Sequence, residues 1–233
     1  MWKTVPTKRL FYRKYPYKVT CTIKGGTYVV RYPVEKGLDL ARKVNSRPIQ
    51  YSLWSNRNSS KFTDSDISDL MKFADAIEPF KTSETTQLRC EGSVVQLFTS
   101  SKDELDNIKK IFTPWIKEIT EPETDKDLKF LLGSDSIKVL VSAYPREYFK
   151  FKVILKNTFK YDEKLKFISW IAKYSNTKIL PSTSTFMWLS DHKRYLQDPF
   201  VYVADEQMLL LIELYLGKKL GRIEEYVLKS DVV

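Results

Sequence analysis

The chain has 233 residues, 42% hydrophobic and 29% charged, with a formal net charge of +10. That apolar share supports a real core and excludes a disordered protein, and the length fits one large domain or two ordinary ones. A single histidine, His192, two isolated cysteines, Cys21 and Cys90, and seven glycines without GxGxxG or GxxxxGK[ST] exclude paired-histidine catalysis, zinc sites and the usual nucleotide loops.

Positive charge opens the chain. Lys3, Lys8, Arg9, Arg13, Lys14, Lys18, Lys24 and Arg31 all precede the first acid, Glu35, and seven aromatic residues from Trp2 to Tyr32 lie among them. YKVTCTIKGGTYVVRYP reads as a strand, a Gly-Gly turn and a returning strand. A short helix (EKGLDLARKV) and a strand (IQYSLWS) follow as an insertion at about 30–60. TDSDISDLMKFADAI is a helix with Ile67, Leu70, Met71, Ala74 and Ile77 on one face. Its acids Asp64, Asp66 and Asp69 suit the first turns of a helix, with no metal required. TQLRCEG and SVVQLFT are strands. Ser101 and Glu104 form a capping box for a helix carrying Leu105, Ile108, Phe112 and Trp115, and KEITEP ends the unit.

The acidic stretch 119–136 marks a boundary, which gives a first unit over 1–120, a linker over 121–137 and a second unit over 138–233. In the second unit EYFKFKVILKN alternates as a strand, and Asp162 caps a helix with Leu165, Ile168, Ile171 and Ala172 inside. TKILPSTSTFMWLS and PFVYVA are expected as strands joined by a polar turn at His192. EQMLLLIELYL, apolar around most of its girth, is expected as a deeply buried helix, and GRIEEYVLK as a closing strand. With the insertion set aside, both halves read β-α-β-β-α-β. The expected fold class is therefore α+β, two tandem ferredoxin-like units, the first with an added N-terminal hairpin and the helix-strand insertion.

In that arrangement both helices lie on one sheet face and leave the other open. Alternation assigns Lys18, Thr20, Thr22 and Lys24 to the open face of the first unit. In the second it assigns Lys150, Lys152, Ile154 and Lys156, with Phe149, Phe151, Val153 and Leu155 inside. Like charges so close repel, and phosphates lying across them would relieve the repulsion. If Val201 and Val203 face the helices, Phe200 and Tyr202 join the open face beside Lys152 as base-stacking rings. Arg9, Arg13 and Lys14 in the basic N-terminus, and His192, Lys193 and Arg194 on the expected hairpin, complete the candidate contacts.

These features point to a non-enzymatic protein that holds single-stranded RNA or DNA and needs no cofactor or metal. An acidic protein partner, or a second copy in a viral or phage assembly, is the alternative. The paired units also resemble, in architecture alone, CRISPR RNA-processing endonucleases. The glycine-rich C-terminal loop of that family is absent and the lone histidine stands in the second unit, so no catalytic residue is carried over. No stretch reaches the ~20 apolar residues of a membrane span, no basic amphipathic helix suits a membrane surface, and MWKTVPTKRLF lacks a secretory apolar core. A soluble, cytoplasmic protein is expected, of a cell or of a virus-infected host.

Overall fold

A computed structural model describes residues 2–46, 61–133, 137–146, 149–174, 176–192 and 195–232. Among them are eight α-helices and two five-stranded mixed sheets, an α+β architecture. The chain divides into two compact units, Met1–Thr7 with Phe11–Glu123, and Lys8–Leu10 with Thr124–Val233. No helix among the described residues is long and apolar enough to cross a membrane.

The first unit contains β1 (Lys3–Pro6), β2 (Tyr17–Thr22), α1 (Gly26–Arg31), α2 (Val34–Ser46), α3 (Asp64–Lys81), β3 (Thr86–Glu91), β4 (Val94–Thr99), α4 (Lys102–Phe112) and β5 (Ile116–Glu121). Its sheet runs β1-β5-β2-β4-β3, antiparallel except for the β1–β5 pair. The Gly-Gly hairpin does not form. β2 already pairs with β4 on one side and β5 on the other, so a returning strand has no edge to join. Gly25, at φ +79°, turns the chain into α1 instead, whose Val29 is fully buried. The strand expected over IQYSLWS lies outside the described residues.

Thr63 and Asp66 cap α3 reciprocally, each backbone N–H donating to the other's side chain (2.8 and 3.1 Å). The buried stripe is Leu70, Phe73, Ala74, Ile77 and Phe80, while Met71, expected inside, is exposed. A turn of ~100° per residue puts Met71 on the far side of Leu70 from Phe73. At α4 only half of the expected box forms. Ser101 accepts from Glu104 N–H, but the Glu104 carboxylate accepts from the hydroxyls of Thr86 (2.7 Å) and Thr99 (2.9 Å).

The second unit contains α5 (Asp125–Leu132), β6 (Ile137–Val141), β7 (Phe151–Leu155), α6 (Tyr161–Ile171), β8 (Ile179–Pro181), α7 (Thr183–Ser190), β9 (Phe200–Val203), α8 (Glu206–Leu216) and β10 (Leu220–Leu228). The stretch expected as a linker thus carries α5, capped by Thr124. The sheet runs β6-β10-β7-β9-β8 with only β6–β10 parallel, so both sheets share one strand order and one set of pairing senses. TKILPSTSTFMWLS is not one strand. It ends as a strand at Pro181, which has no N–H to donate to a sheet, and Ser182 then caps α7 by accepting from Thr185 N–H (3.1 Å).

Two helices of this unit bury a different face from the one the pattern suggests. In α6 the inward residues are Lys164, Phe167 and Ile171, while Leu165 and Ala172 are exposed. The Lys164 ammonium donates to the carbonyls of Trp188 and Asp191, both at 3.0 Å, and lies 4.3 Å from the centre of the Trp188 ring. Burial holds its pKa below the ordinary lysine value. Glu163, and not Asp162, accepts from the Lys160 N–H that opens α6. In α8 Met208, Ile212 and Leu216 are buried in the core and Leu209 packs partly against it, because the sheet covers one side of the helix.

The two thiols also differ. Cys21 is fully buried, and burial pushes its pKa up to about 12, whereas Cys90 on β3 is half-buried. A disulfide-exchange reagent at neutral pH should therefore label one thiol quickly in the native protein and two in denaturant. Rapid labelling of both native thiols would contradict the packing of β2.

Candidate nucleic-acid interface

The face of the second sheet turned away from its helices gathers cations and rings. Val201 and Val203 of β9 are fully buried in the helix-side core, which turns Phe200 and Tyr202 to the other face. β7 pairs with β9 so that Lys152 stands opposite Tyr202, and with β10 so that Lys152 stands opposite Glu224. A bulge between Leu220 and Ile223 sets that register, and there a Cβ on Gly221 would stand 2.7 Å from the Ile154 carbonyl oxygen. The Lys152 ammonium sits 4.3 Å from the centre of the Phe200 ring and 3.7 Å from Glu224. Phe200 and Tyr202 meet edge to face at 5.2 Å, and Phe149 lies 5.9 Å from Tyr202.

Glu224 organises the cations. Its side chain is 3% exposed and accepts from Arg222 Nε at 3.0 Å and from Arg9, on the short Lys8–Leu10 segment of this unit. Three cations share one carboxylate, which leaves a local excess of two positive charges. Arg9 and Arg222 remain 45% and 42% exposed, so they can meet a phosphate while still anchored. Tyr226 follows Glu224 on the same face, and burial, with Tyr202 and Glu224 near, pushes its hydroxyl up to about 12. A face of guanidinium and ammonium groups beside half-exposed rings can bind a phosphate and stack a base.

The other expected site residues are dispersed. In the first unit Lys18 is paired with Glu118 at 3.2 Å and lies 5.3 Å from the centre of the Phe11 ring. Lys24 stands beyond the end of β2 and donates to Asp66 (2.8 Å) and the Lys61 carbonyl (2.7 Å). The expected lysine row therefore reduces to one neutralised lysine, and Phe11 and Tyr12 cover Phe98 on the same face, at 5.3 and 5.0 Å. Arg13 and Lys14 are exposed on a tight turn closed by Lys14 N–H to Phe11 O (3.0 Å), with Tyr12 and Arg13 at φ +51° and +61°. Left-handed backbone at a tyrosine and an arginine carries strain of about 1–2 kcal/mol each, which the Tyr12 contact with Phe98 helps to hold.

In the second unit regular pairing begins at Phe151, so Lys150 escapes the pleat and reaches toward Glu206 at 4.0 Å. Phe149, expected in the helix-side core, turns to Tyr202 for the same reason. Lys156 lies past the strand and donates to the Lys218 carbonyl at 3.0 Å. Of that row Lys152 alone stays on the face part-exposed, because Ile154, also expected there, is buried opposite Phe200. His192 is not on a hairpin. It follows α7, exposed, with its ring 5.5 Å from Tyr161. Lys193 and Arg194 lie outside the described residues.

Arg222, Glu224, Tyr226 and Phe149 join this face without being among the site residues expected from the sequence. The signal lay in the β10 alternation, which puts Arg222, Glu224 and Tyr226 on one face, combined with the pairing of first and last strands that places Glu224 opposite Lys152. Among the described residues no three His, Cys, Asp or Glu side chains stand together to hold a metal. Compared with known proteins, the chain matches no family model, no curated protein and no solved structure.

Proposed function

We propose that each unit is a ferredoxin-like fold, β2-β3-β4-β5 and β7-β8-β9-β10, extended by one parallel edge strand. On that frame the chain is a non-enzymatic protein that holds single-stranded nucleic acid on the open face of the second sheet, and Arg13 and Lys14 are a separate candidate backbone contact on the first unit. The observation that carries the proposal is the Lys152 ammonium held between the Phe200 ring and Glu224, with Arg9 and Arg222 converging on the same carboxylate. Phosphate has cations to approach and a base has rings to cover, side by side on one surface. Duplex DNA suits this surface poorly, because groove reading requires a projecting helix or ribbon and stacking requires splayed bases.

Fluorescence anisotropy of a labelled single-stranded oligonucleotide across a salt series tests the proposal. If ~6 phosphates are neutralised, log affinity falls with log salt at a slope of about 4. A slope near zero, or equal affinity for a duplex of the same length, would sink it.

A further inference from the structure

Helix α8 leaves bare the side opposite the sheet. Leu210, Leu211, Leu214 and Tyr215 are exposed, Leu214 at 74%, while Met208, Ile212 and Leu216 fill the core. An apolar stripe of this kind on a charged protein marks an interaction surface. The exposed residues fall to either side of the level of Ile212, which itself faces the core. Leu210 and Leu214 stand two positions to either side of that level, and Glu206 at the start of α8 and the exposed Lys218 in the turn after it stand six. Such a pattern suits a second copy of itself, because a two-fold interface sets each residue against its mirror position on the other chain.

We propose that this face is a homodimer interface in which two α8 helices cross antiparallel between Leu210 and Leu214. Leu210 of each copy packs on Leu214 of the other, and Glu206 of each meets Lys218 of the other. The charges are available for this. The Glu206 side chain is 72% exposed, with Lys150 its neighbouring cation at 4.0 Å, and the exposed Lys218 ammonium has no ion pair among the described residues. Antiparallel crossing also sets the positive end of each helix dipole beside the negative end of the other. Tyr215 widens the patch by stacking on Trp170 of α6 at 4.6 Å and 24°. A pair of three-turn helices buries less than the ~800 Å² per partner of a standard stable interface, so the dimer should dissociate in the micromolar range.

Sedimentation equilibrium of the full chain, freed of nucleic acid, reads the result. Wild type associates between about 1 and 100 µM, and Leu214→Glu abolishes association with an unchanged circular dichroism spectrum. Glu206→Lys or Lys218→Glu alone weakens the dimer about tenfold, and the two together restore it. That rescue separates self-pairing from a folding defect and from an unrelated acidic or apolar partner. A wild-type protein monomeric throughout, a Leu214→Glu variant that still dimerises, or a double reversal no better than either single one would overturn the proposal. Oligonucleotide binding by Leu214→Glu is followed in parallel and stays at the wild-type level, so the two proposals succeed or fail separately.

Discussion

Glu224→Gln is expected to lower the stability of the second unit by about 2–4 kcal/mol, below the ~3–5 kcal/mol for breaking a fully buried ion pair, because two of its three cations keep much of their solvent. The carboxylate is 3% exposed, and Arg9, Lys152 and Arg222 converge on it. Glutamine keeps the shape and loses the charge, so three cations then repel one another with nothing between them. For a unit of this size the melting temperature should fall by about 8–32 °C, at roughly 4–8 °C per kcal/mol. Below that transition the same variant should bind single-stranded oligonucleotide about 2- to 5-fold more tightly, because the charge facing a phosphate rises by one. Opposite signs in stability and affinity are the diagnostic result. A variant as stable as wild type would mean that Glu224 does not hold the cluster together.

The second large effect concerns the rings. Phe200→Ala or Tyr202→Ala should each weaken oligonucleotide binding by about 1–3 kcal/mol, or 5- to 150-fold, the usual loss when a stacking ring is truncated. Phe200→Tyr and Tyr202→Phe keep the ring and should bind within about twofold of wild type. The salt series then separates the roles. Truncating a ring lowers affinity at every salt concentration and leaves the slope unchanged, whereas Arg9→Ala reduces the slope by about 0.7, one phosphate contact on a single strand. A ring variant that changes the slope and not the affinity would show that Phe200 and Tyr202 act only as support for Lys152.

The part of this site that was legible in the sequence is the part fixed by local alternation. PFVYVA and FKFKVIL repeat every second residue, and the structure accordingly buries Val201, Val203, Phe151 and Val153 and turns Phe200, Tyr202 and Lys152 to the other face. What could not be read depends on distant pairing. β1 and β6 are short edge strands whose partners, Glu118 opposite Lys3 and Glu224 opposite Ile137, lie far along the chain and leave no local trace. The Gly25-Gly26 turn carries a strong hairpin signal, but β2 has both edges occupied, and tertiary pairing overrides the turn.

Helix faces were misread for a related reason. Pattern reading assumes that apolar residues go inside, so it chose Leu165 over Lys164. The structure buries the lysine because two carbonyls at the end of α7 accept its protons. In TFMWLS the β-branched and aromatic residues favour a strand by propensity, and the Ser182 cap decides for a helix. α8 looked buried on all sides because it is rich in leucine, yet one sheet can cover only one side of it. Its uncovered leucines are the ones that carry the dimer proposal.

In the proposed function, bases lie against the rings of β9. Ultraviolet crosslinking of a single-stranded oligonucleotide carrying a photoreactive pyrimidine, followed by mass spectrometry of the adducts, tests this directly. Adducts on Phe200 or Tyr202, lost when the oligonucleotide is annealed to its complement, are the expected result. Efficient crosslinking confined to other segments, or none from a strand that binds, would contradict it.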